Sequence, residues 1–277
     1  YHWLTIGAAD DIRAMQLEEV QAFFRTYYHP ANASLSLAGD IGTDAALALA
    51  EKYFGDIPAG TLPGPVAAHA SLTRETRLVL EDRVEMPRLY IGWLSPAMFD
   101  DGDAEMDLLS DLLGNGKTSR LYRTLVYGRR IALDVSSFQN SRELGSFFML
   151  VVTAAPGKSL TDIAAAVDAT LHGVIERGPT KPEMERAEAQ AEAHFIYRLQ
   201  TVGGFGGKSD QLNAYNVFRN DPGFFARDLA RYRNATVESV RAAAERYLRF
   251  DARVVLSVVP RGHSASALSG SSPVSVS

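Results

Sequence analysis

The sequence predicts an α+β protein, organised as a two-layer unit in which a mostly antiparallel sheet is backed by helices. Three observations lead to this class. Strand-like runs at 132–139 and 146–155 flank a polar connection, as in a hairpin. Long amphipathic segments, typical of helices, alternate with the strand-like runs. A helix followed by a strand, near the start of the chain, recurs near its end.

The first elements are a helix, a strand and a second helix. One helical face carries the apolar side chains Leu17, Val20, Phe24, Tyr27 and Tyr28, and His29-Pro30 ends that helix. Residues 33–38 alternate like a half-buried strand and stop at Gly39-Asp40. Thr43 or Asp44 can cap the next helix, which we expect to reach Phe54.

Residues 58–74 predict an extended linker, because prolines and glycines crowd its first part and small residues follow. We therefore divide the chain into four parts. Residues 1–57 are the end of a first unit, residues 58–74 are the linker, and residues 75–262 form a complete second unit. Residues 263–277 are rich in Ser and predict a flexible tail.

The second unit begins with strands at 76–80 and 88–93 and a Leu-rich helix at 104–113. A short helix from 118 or 119 to 127 leads into the hairpin. A helix at 160–176 follows, and then a longer one that opens on a capping box of Thr180 and Glu183 and runs to about Leu199. Glycines at 203–207 interrupt this pattern. Helices at 224–232 and 237–248 precede the last strand, 253–259.

The two ends of the chain share a module. Glu18, Val20, Ala22 and Tyr27 match Glu238, Val240, Ala242 and Tyr247 at a constant offset, and each block runs into a β-rich segment. The matches alone leave duplication and chance about even. Because the linker follows the first copy and precedes a full run of elements, we favour a duplicated unit.

Composition bounds the function. The net charge of −5 and the pI near 5.7 argue against general binding of nucleic acid, which needs a basic excess. The chain contains no Cys, so disulfides, thiol nucleophiles and Cys-based metal sites are excluded. The longest apolar runs have the length of strands, so we expect no membrane span. The chain opens at Tyr1 without Met, and we expect its natural start to lie upstream.

No catalytic or metal-binding residue can be named from the sequence. A helical zinc site needs two His one turn apart, and the closest pair, His172 and His194, are 22 residues apart. The other histidines are His2, His29, His69 and His263. The residues that would bind substrate stay unknown.

Weaker patterns favour structural interpretations. Glu188 and Glu192 share a helical face, but we interpret it as a solvated face. Asp100, Asp101 and Asp103 lack the ligand spacing of a calcium loop and predict a solvent loop that caps the next helix. Gly203–Gly207 with Lys208 departs from a phosphate-binding loop and is interpreted as a flexible break or packing site. Ser137 and Ser141 lack triad partners.

Several runs together resemble the insulinase/pitrilysin-like zinc metallopeptidases, in particular a bacterial processing-peptidase-like subgroup. Residues 23–32 (FFRTYYHPAN) and 50–58 (AEKYFGDIP), with Leu35 and Gly39-Asp40 between them, resemble the end of the family's first unit. Residues 87–90 (PRLY), 116–122 (GKTSRLY) and 203–208 (GGFGGK) resemble its second unit. The resemblance runs from about Tyr1 to Pro260.

The resemblance implies a metallopeptidase-like duplicated α/β unit, with units arranged around a closed chamber. In the family an inverted H-x-x-E-H helix and a later Glu bind zinc in the first unit, where the motif Glu is the general base. Those residues would precede Tyr1, so this chain is expected to hold no zinc, whereas the complete protein would. An Arg and a Tyr of the family's second unit, seven residues apart, align with Val126 and Leu133. The family pair is therefore absent from these positions. Tyr127, Arg129 and Arg130 lie nearby and could substitute for it, although cations that meet the C-terminal dipole of a helix explain them better.

The function implied is the non-zinc-binding portion of a zinc metalloendopeptidase, which forms part of the chamber for peptide or unfolded protein substrates and is inactive alone. The expected partner is an upstream zinc-bearing unit, in the same or another chain. The alternative is a catalytically inactive binding or assembly subunit of the same family. A periplasmic or secreted location is implied by the resemblance. An unrelated α+β binding domain would require the repeat and the motifs to be coincidences.

Overall fold

The computed structural model describes residues 5–275. The chain divides into two compact units, and each is built from two separate stretches. One unit contains the chain up to Val66 together with Arg198–Phe224. The other, larger unit contains Ala67–Tyr197 and Phe225–Ser277. The sequence places a boundary between 57 and 75, but it does not predict that residues 198–224 rejoin the first unit.

The larger unit is built on one mixed sheet of six strands. In chain order these are β1 (Thr76–Asp82), β2 (Arg88–Ser95), β3 (Ala132–Asn140), β4 (Ser146–Ala154), β5 (Val254–Pro260) and β6 (Ser272–Pro273). Their spatial order is β3-β4-β2-β5-β1-β6. The pairs β3–β4, β4–β2 and β2–β5 are antiparallel, whereas β1 pairs in parallel with β5 and β6. The predicted hairpin and the predicted α+β class are confirmed.

Helices supply the second layer of this unit. They are α4 (Asp103–Gly114), α5 (Leu160–Arg177), α6 (Lys181–Arg198), α8 (Phe225–Arg233) and α9 (Val237–Tyr247). Ser159 caps α5 by accepting from the backbone N–H of Thr161 at 3.0 Å. Thr236 caps α9 by accepting from the N–H of Ser239 at 3.1 Å. Both caps satisfy amides that a first helical turn leaves without partners.

The core lies between the sheet and the helices α4, α5 and α9. Side chains alternate along β4, so that Phe148, Leu150 and Val152 are fully buried and their neighbours are half-buried. Trp93 of β2 is also buried, and its indole N–H donates to the carbonyl of Arg249 at 2.9 Å. Each buried side chain of this size contributes about 1.5–3 kcal/mol through removal from water.

A π-helical turn joins α4 to β3. It spans Tyr122–Gly128, where the sequence predicts a short α-helix through Tyr127. Its wider turn is fixed by the backbone N–H of Arg129, which donates to the carbonyl of Thr124 at 2.9 Å. The next residue, Arg130, has a positive φ of 53°, and the chain then enters β3.

The smaller unit is helical. It contains α1 (Ala9–Ala14), α2 (Leu17–Tyr27), α3 (Thr43–Phe54) and α7 (Lys208–Arg219). No residue of α1, α2 or α3 is buried. Tyr215 of α7 is buried and packs edge-on against Phe224. Ser34 links the extended segment after α2 to α7, donating to Asn213 Oδ1 at 2.6 Å and accepting from Asn216 Nδ2 at 2.9 Å.

The helix of the predicted module occurs in both copies, but the strand occurs only in the second copy. Both matched blocks are helices, α2 and α9, but residues 33–38 form no strand, whereas β5 does. A strand exists through hydrogen bonds to neighbours. β5 lies between β2 and β1 in the sheet. In the part of the chain that the structure describes, residues 33–38 pair with no neighbouring strand. Leu35 and Leu37 are accordingly 57% and 51% exposed.

Two further stretches contain structure that the sequence does not predict. In residues 263–275, Ser264–Ser266 forms a 3-10 turn, Leu268 is buried and β6 adds to the sheet edge. The glycine run at 203–207 precedes a helix, α7, where the sequence pattern predicts none. Among the described residues, no helix combines the length and apolar character needed to cross a bilayer.

Candidate functional site

The described residues contain no zinc site. No group of three or more His, Asp or Glu side chains is placed to hold a metal ion in residues 5–275. His172 stacks on Phe250 with ring centroids 4.0 Å apart, and His29 lies 2.9 Å from the carbonyl of Ala59. These two histidines have other partners, and without a group of three possible ligands the residues described do not fit a zinc ion. His2 lies outside the described residues.

Two glutamates of α6, Glu183 and Glu192, each pair with an arginine. Glu183 binds Arg120 through both carboxylate oxygens, at 2.7 and 2.6 Å, and also accepts from the backbone N–H of Thr180 at 2.7 Å. These interactions lower the pKa of Glu183 to about 2 against the opposing effect of burial. Glu192 pairs with Arg233. α6 is therefore held by ion pairs rather than prepared for a metal.

The glycine run and the two serines also serve local structure. The backbone N–H of Gly206 donates to the carboxylate of Asp210 at 2.7 Å. This amide is therefore already hydrogen-bonded to a side chain of α7 and does not face a phosphate site. Ser137 donates to the carbonyl of Ser110 at 2.7 Å. Ser141 donates to Asp103 at 2.5 Å. Neither hydroxyl is hydrogen-bonded to a histidine base of the kind that activates a serine nucleophile.

A buried polar cluster joins α4 to α8 and was missed at the sequence level. Asp103, predicted to lie in a solvent loop, has a side chain only 4% exposed. It accepts from the backbone N–H of Phe99 and from Arg231, both at 2.9 Å, and from Ser141. These donors explain why it can be buried. Its signal in the sequence was the four-residue spacing of Asp103, Asp107 and Asp111 within a Leu-rich helix.

Asp107 is the member of this cluster whose pKa is raised into the neutral range. Tyr232 donates to its carboxylate at 2.6 Å. Burial raises the pKa of Asp107 to about 7, the hydrogen bond from Tyr232 opposes the rise, and the negative charge of Asp103 adds to it. Burial and the charge of Asp107 also raise the pKa of Tyr232 well above its usual value. The cluster lies within a helix–helix contact, so we assign it to packing rather than to catalysis.

Val126 and Leu133 are the positions aligned with the Arg and Tyr of the family. Val126 lies in the last part of the π-helical turn, and Leu133 lies in β3. Val126 is half-buried and packs against the core, while Leu133 is 53% exposed on β3. Between them, Tyr127 is 79% exposed, and Arg129 and Arg130 are exposed. The arrangement presents cations and an aromatic ring at the surface, although the two aligned positions themselves are aliphatic.

One face of the sheet is apolar and only half-buried. We call it the open sheet face and define it by Tyr90, Leu94, Phe138, Phe147, Met149 and Val151. Strand pairing brings them together, since Tyr90 lies opposite Val151, Leu94 opposite Phe147 and Phe138 opposite Met149. The rings of Phe138 and Phe147 meet edge-on with centroids 6.4 Å apart. A contiguous apolar surface of this kind marks an interaction site more often than scattered apolar residues do.

Comparison with known proteins identifies a family. Residues 14–191 match the family model described as the peptidase M16 inactive domain. A zinc protease of Helicobacter pylori, PqqE, is 26% identical over 211 residues, which are 75% of this chain and 48% of that protein. The β subunit of the mitochondrial-processing peptidase of Lentinula edodes is 24% identical over 216 residues, 70% of this chain and 44% of the subunit. The chain thus spans about half the length of these curated relatives.

Solved structures share the fold. A protease from Helicobacter pylori superposes with a TM-score of 0.83 at 24% identity, covering 94% of this chain and 63% of the other. A peptidase M16 inactive domain from Pseudomonas fluorescens gives a TM-score of 0.80 at 20% identity, covering 98% of this chain and 62% of the other. At these identities the likeness establishes architecture alone.

Proposed function

The chain belongs to the family of peptidase M16 inactive domains, and from this premise we propose that it forms part of the substrate chamber of a zinc metalloendopeptidase. As an inactive domain of zinc-protease-like proteins, it fits the non-catalytic part of a peptidase. Zinc, the general base and the attacking water would be supplied by a separate zinc-bearing unit. The contribution of this chain is to bind and confine a peptide.

The open sheet face carries the proposal. Its aromatic and aliphatic side chains form a half-exposed surface on which apolar side chains of an extended peptide can be buried. A peptide or an unfolded protein exposes such side chains, whereas a folded protein hides them. A peptide segment held against the open sheet face would be oriented for cleavage at a zinc site across the chamber, and water would be excluded from that segment.

The helices of the smaller unit support the presence of a zinc-bearing partner. On α2, Phe23 and Phe24 are 52% and 51% exposed, and Tyr28, directly after this helix, is 67% exposed. On α3, Tyr53 is 64% exposed. The rings at the end of α2 cluster, with the Phe24 and Tyr28 centroids 4.4 Å apart. Aromatic surface of this extent is stabilised by a covering protein layer. We propose that the zinc-bearing unit supplies this layer, either in the same polypeptide or in a partner chain.

The test of chamber function compares three samples in a fluorogenic peptide assay. They are the 277-residue chain, the same chain combined with its zinc-bearing unit, and that combination with the Glu of the H-x-x-E-H motif changed to Gln. We expect cleavage only in the second sample, and a chelator should abolish it. Metal-dependent cleavage by the 277-residue chain alone would overturn the proposal. If the combination is inactive because its partner lacks the motif, the result would support the alternative, a catalytically inactive binding or assembly subunit.

A direct binding test addresses the open sheet face. Phe147→Ser with Met149→Ser should weaken binding of a labelled unfolded peptide by about tenfold. Full burial of an apolar side chain contributes roughly 1.5–3 kcal/mol, and the contribution here is smaller because Phe147 and Met149 are only partly buried. The matched control is Ile196→Ser with Tyr197→Ser, which alters two exposed apolar side chains of α6. Equal losses in both variants would contradict a specific role for the open sheet face.

A further inference from the structure

Cations are concentrated between α4 and β3 in a protein whose net charge is −5. No Asp or Glu occurs between Asp111 and Asp134, while Lys117, Arg120, Arg123, Arg129 and Arg130 all fall in that stretch. Arg120 is neutralised by Glu183. The other four are exposed, and within residues 5–275 none of them forms an ion pair. We name these four residues the cationic turn.

The π-helical geometry places the backbone of Arg123 beside Gly128, the residue that precedes Arg129. A Cβ added at Gly128 would lie 2.9 Å from the carbonyl oxygen of Arg123, so the backbone before Arg129 lies directly against Arg123. The bond from the Arg129 N–H to Thr124 closes the same turn at 2.9 Å. Arg130 follows with φ at 53°, a backbone conformation that residues with side chains rarely adopt. Such strain is held in place by the surrounding structure and is enriched at ligand-binding positions.

We infer that the cationic turn binds acidic side chains of an extended peptide. The inference rests on the proposed function, because it names the class of peptide that the chamber receives. Guanidinium groups bind carboxylates through paired hydrogen bonds, and three of the four residues are Arg. Tyr127, 79% exposed between them, adds an apolar surface with a hydroxyl at its tip. A nucleic acid is disfavoured because the remainder of the chain carries an excess of negative charge.

The experiment measures anisotropy of fluorescein-labelled peptides, each about ten residues long, titrated with the 277-residue chain. One peptide carries several Asp or Glu, a second replaces them with Asn and Gln, and a third with Lys. The acidic peptide should bind about tenfold more tightly than the neutral one, and the Lys peptide more weakly still. The preference should shrink between low salt and about 0.2 M salt, because exposed charges are screened.

Charge-reversal variants locate the site. Arg129→Glu with Arg130→Glu should reduce affinity for the acidic peptide about tenfold, and Lys117→Glu with Arg123→Glu should act in the same direction. The matched control, Arg74→Glu with Arg261→Glu, changes the net charge equally at exposed residues near β1 and β5, away from β3 in the sheet order. Thermal unfolding of each variant establishes that it is folded.

Each outcome decides between the two proposals. Equal binding of the acidic and neutral peptides, or equal losses in the control and cationic-turn variants, would overturn the inference and leave the proposed function standing. Tighter binding of a single-stranded oligonucleotide than of the acidic peptide would also overturn it. If no peptide binds at all, the proposed peptide chamber fails together with the inference.

Discussion

At the scale of single residues, buried polar groups distinguish the contact between α4 and α8. Removing a carboxylate from water is costly unless donors replace the water. Asp103 receives donors from Arg231, Ser141 and a backbone amide, and Asp228 binds the same Arg231 at 2.8 Å. Asp107 receives the hydroxyl of Tyr232. Asp103 and Asp107, two of the carboxylates on α4, therefore differ in how far their charge is compensated.

This difference predicts how stability depends on pH. The pKa of Asp107 is about 7 in the folded protein and near 3.8 when exposed, so the folded state retains a proton that the unfolded state loses between these values. Stability therefore falls as pH rises from about 4 to about 7 and levels off above that. Asp107→Asn, which cannot ionise, should remove this part of the pH dependence, worth on the order of a few kcal/mol.

Thermal unfolding at several pH values between about 5 and about 8 measures the effect. The control is Asp101→Asn, which removes the same charge from an exposed loop position. Glu183 does not interfere, because its pKa is lowered to about 2 and its stabilising ion pair is fully formed across this range. A wild-type slope that persists in Asp107→Asn would show that other groups cause the dependence.

The ion pair of Arg120 and Glu183 gives a second prediction. Both side chains are largely buried, at 20% and 17% exposure, and the Glu also holds the first turn of α6 through Thr180. Glu183→Gln removes the charge that compensates Arg120, so the free energy of unfolding should fall by about 2–3 kcal/mol. Urea unfolding checks this value. Glu185→Gln breaks an exposed pair with Lys181, and its effect should stay below about 1 kcal/mol.

At the scale of elements, sequence patterns succeeded where burial follows a local period. β4 alternates between buried and half-buried positions, and α5 carries Ile163, Val167, Leu171 and Val174 on its buried face, so both were predictable from spacing. The segment 33–38 has the same alternation, but strand formation depends on hydrogen-bonding neighbours that the pattern does not supply. α7 was missed because a glycine-rich run precedes it and most of its side chains are polar.

The candidate sites were less predictable than the elements. The absence of a His pair was evident from spacing alone, and the acid-free stretch that forms the cationic turn is equally visible in the printed sequence. In contrast, the contact of Tyr232 with Asp107 joins residues 125 positions apart. The open sheet face likewise depends on strand order, which places β4 beside β2 although β3 separates them in the chain. The spacing of the aspartates on α4 is visible in the sequence, but nothing local indicates which distant residues contact them.

The π-helical turn yields a prediction about backbone strain. Arg130 has a φ of 53°, whereas Arg129 has a φ of −83°. Glycine adopts positive φ without steric cost, so Arg130→Gly should leave the free energy of unfolding unchanged or slightly increased. Arg129→Gly gains no such relief and should lose about 0.5–1 kcal/mol. Chemical denaturation of the two single variants measures the difference, and equal losses would mean that Arg130 is not strained.

At the scale of the whole molecule, the two units differ in how they are stabilised. The larger unit has a continuous apolar core that includes Trp93, Phe148 and Leu109. The helices α1, α2 and α3 bury none of their residues. Because the chain leaves the larger unit after Tyr197 and returns at Phe225, the smaller unit is tied to it by chain connections before and after α7 as well as at residue 66. Stability is therefore expected to be uneven along the sequence.

Hydrogen exchange can test this inequality on two helices of matched sequence. α2 and α9 share Glu, Val, Ala and Tyr at equivalent positions, yet α9 buries Val240, Ala243 and Ala244 whereas α2 buries nothing. Amides of Leu17–Tyr27 should therefore exchange much faster than those of Val237–Tyr247 in the 277-residue chain, because opening α2 exposes little new apolar surface. Addition of the proposed zinc-bearing unit should slow exchange in α2 and leave α9 unchanged. Equal protection of the two helices in the monomeric chain would show that α2 is stabilised without a partner. That result would contradict the proposal that a zinc-bearing unit covers α2.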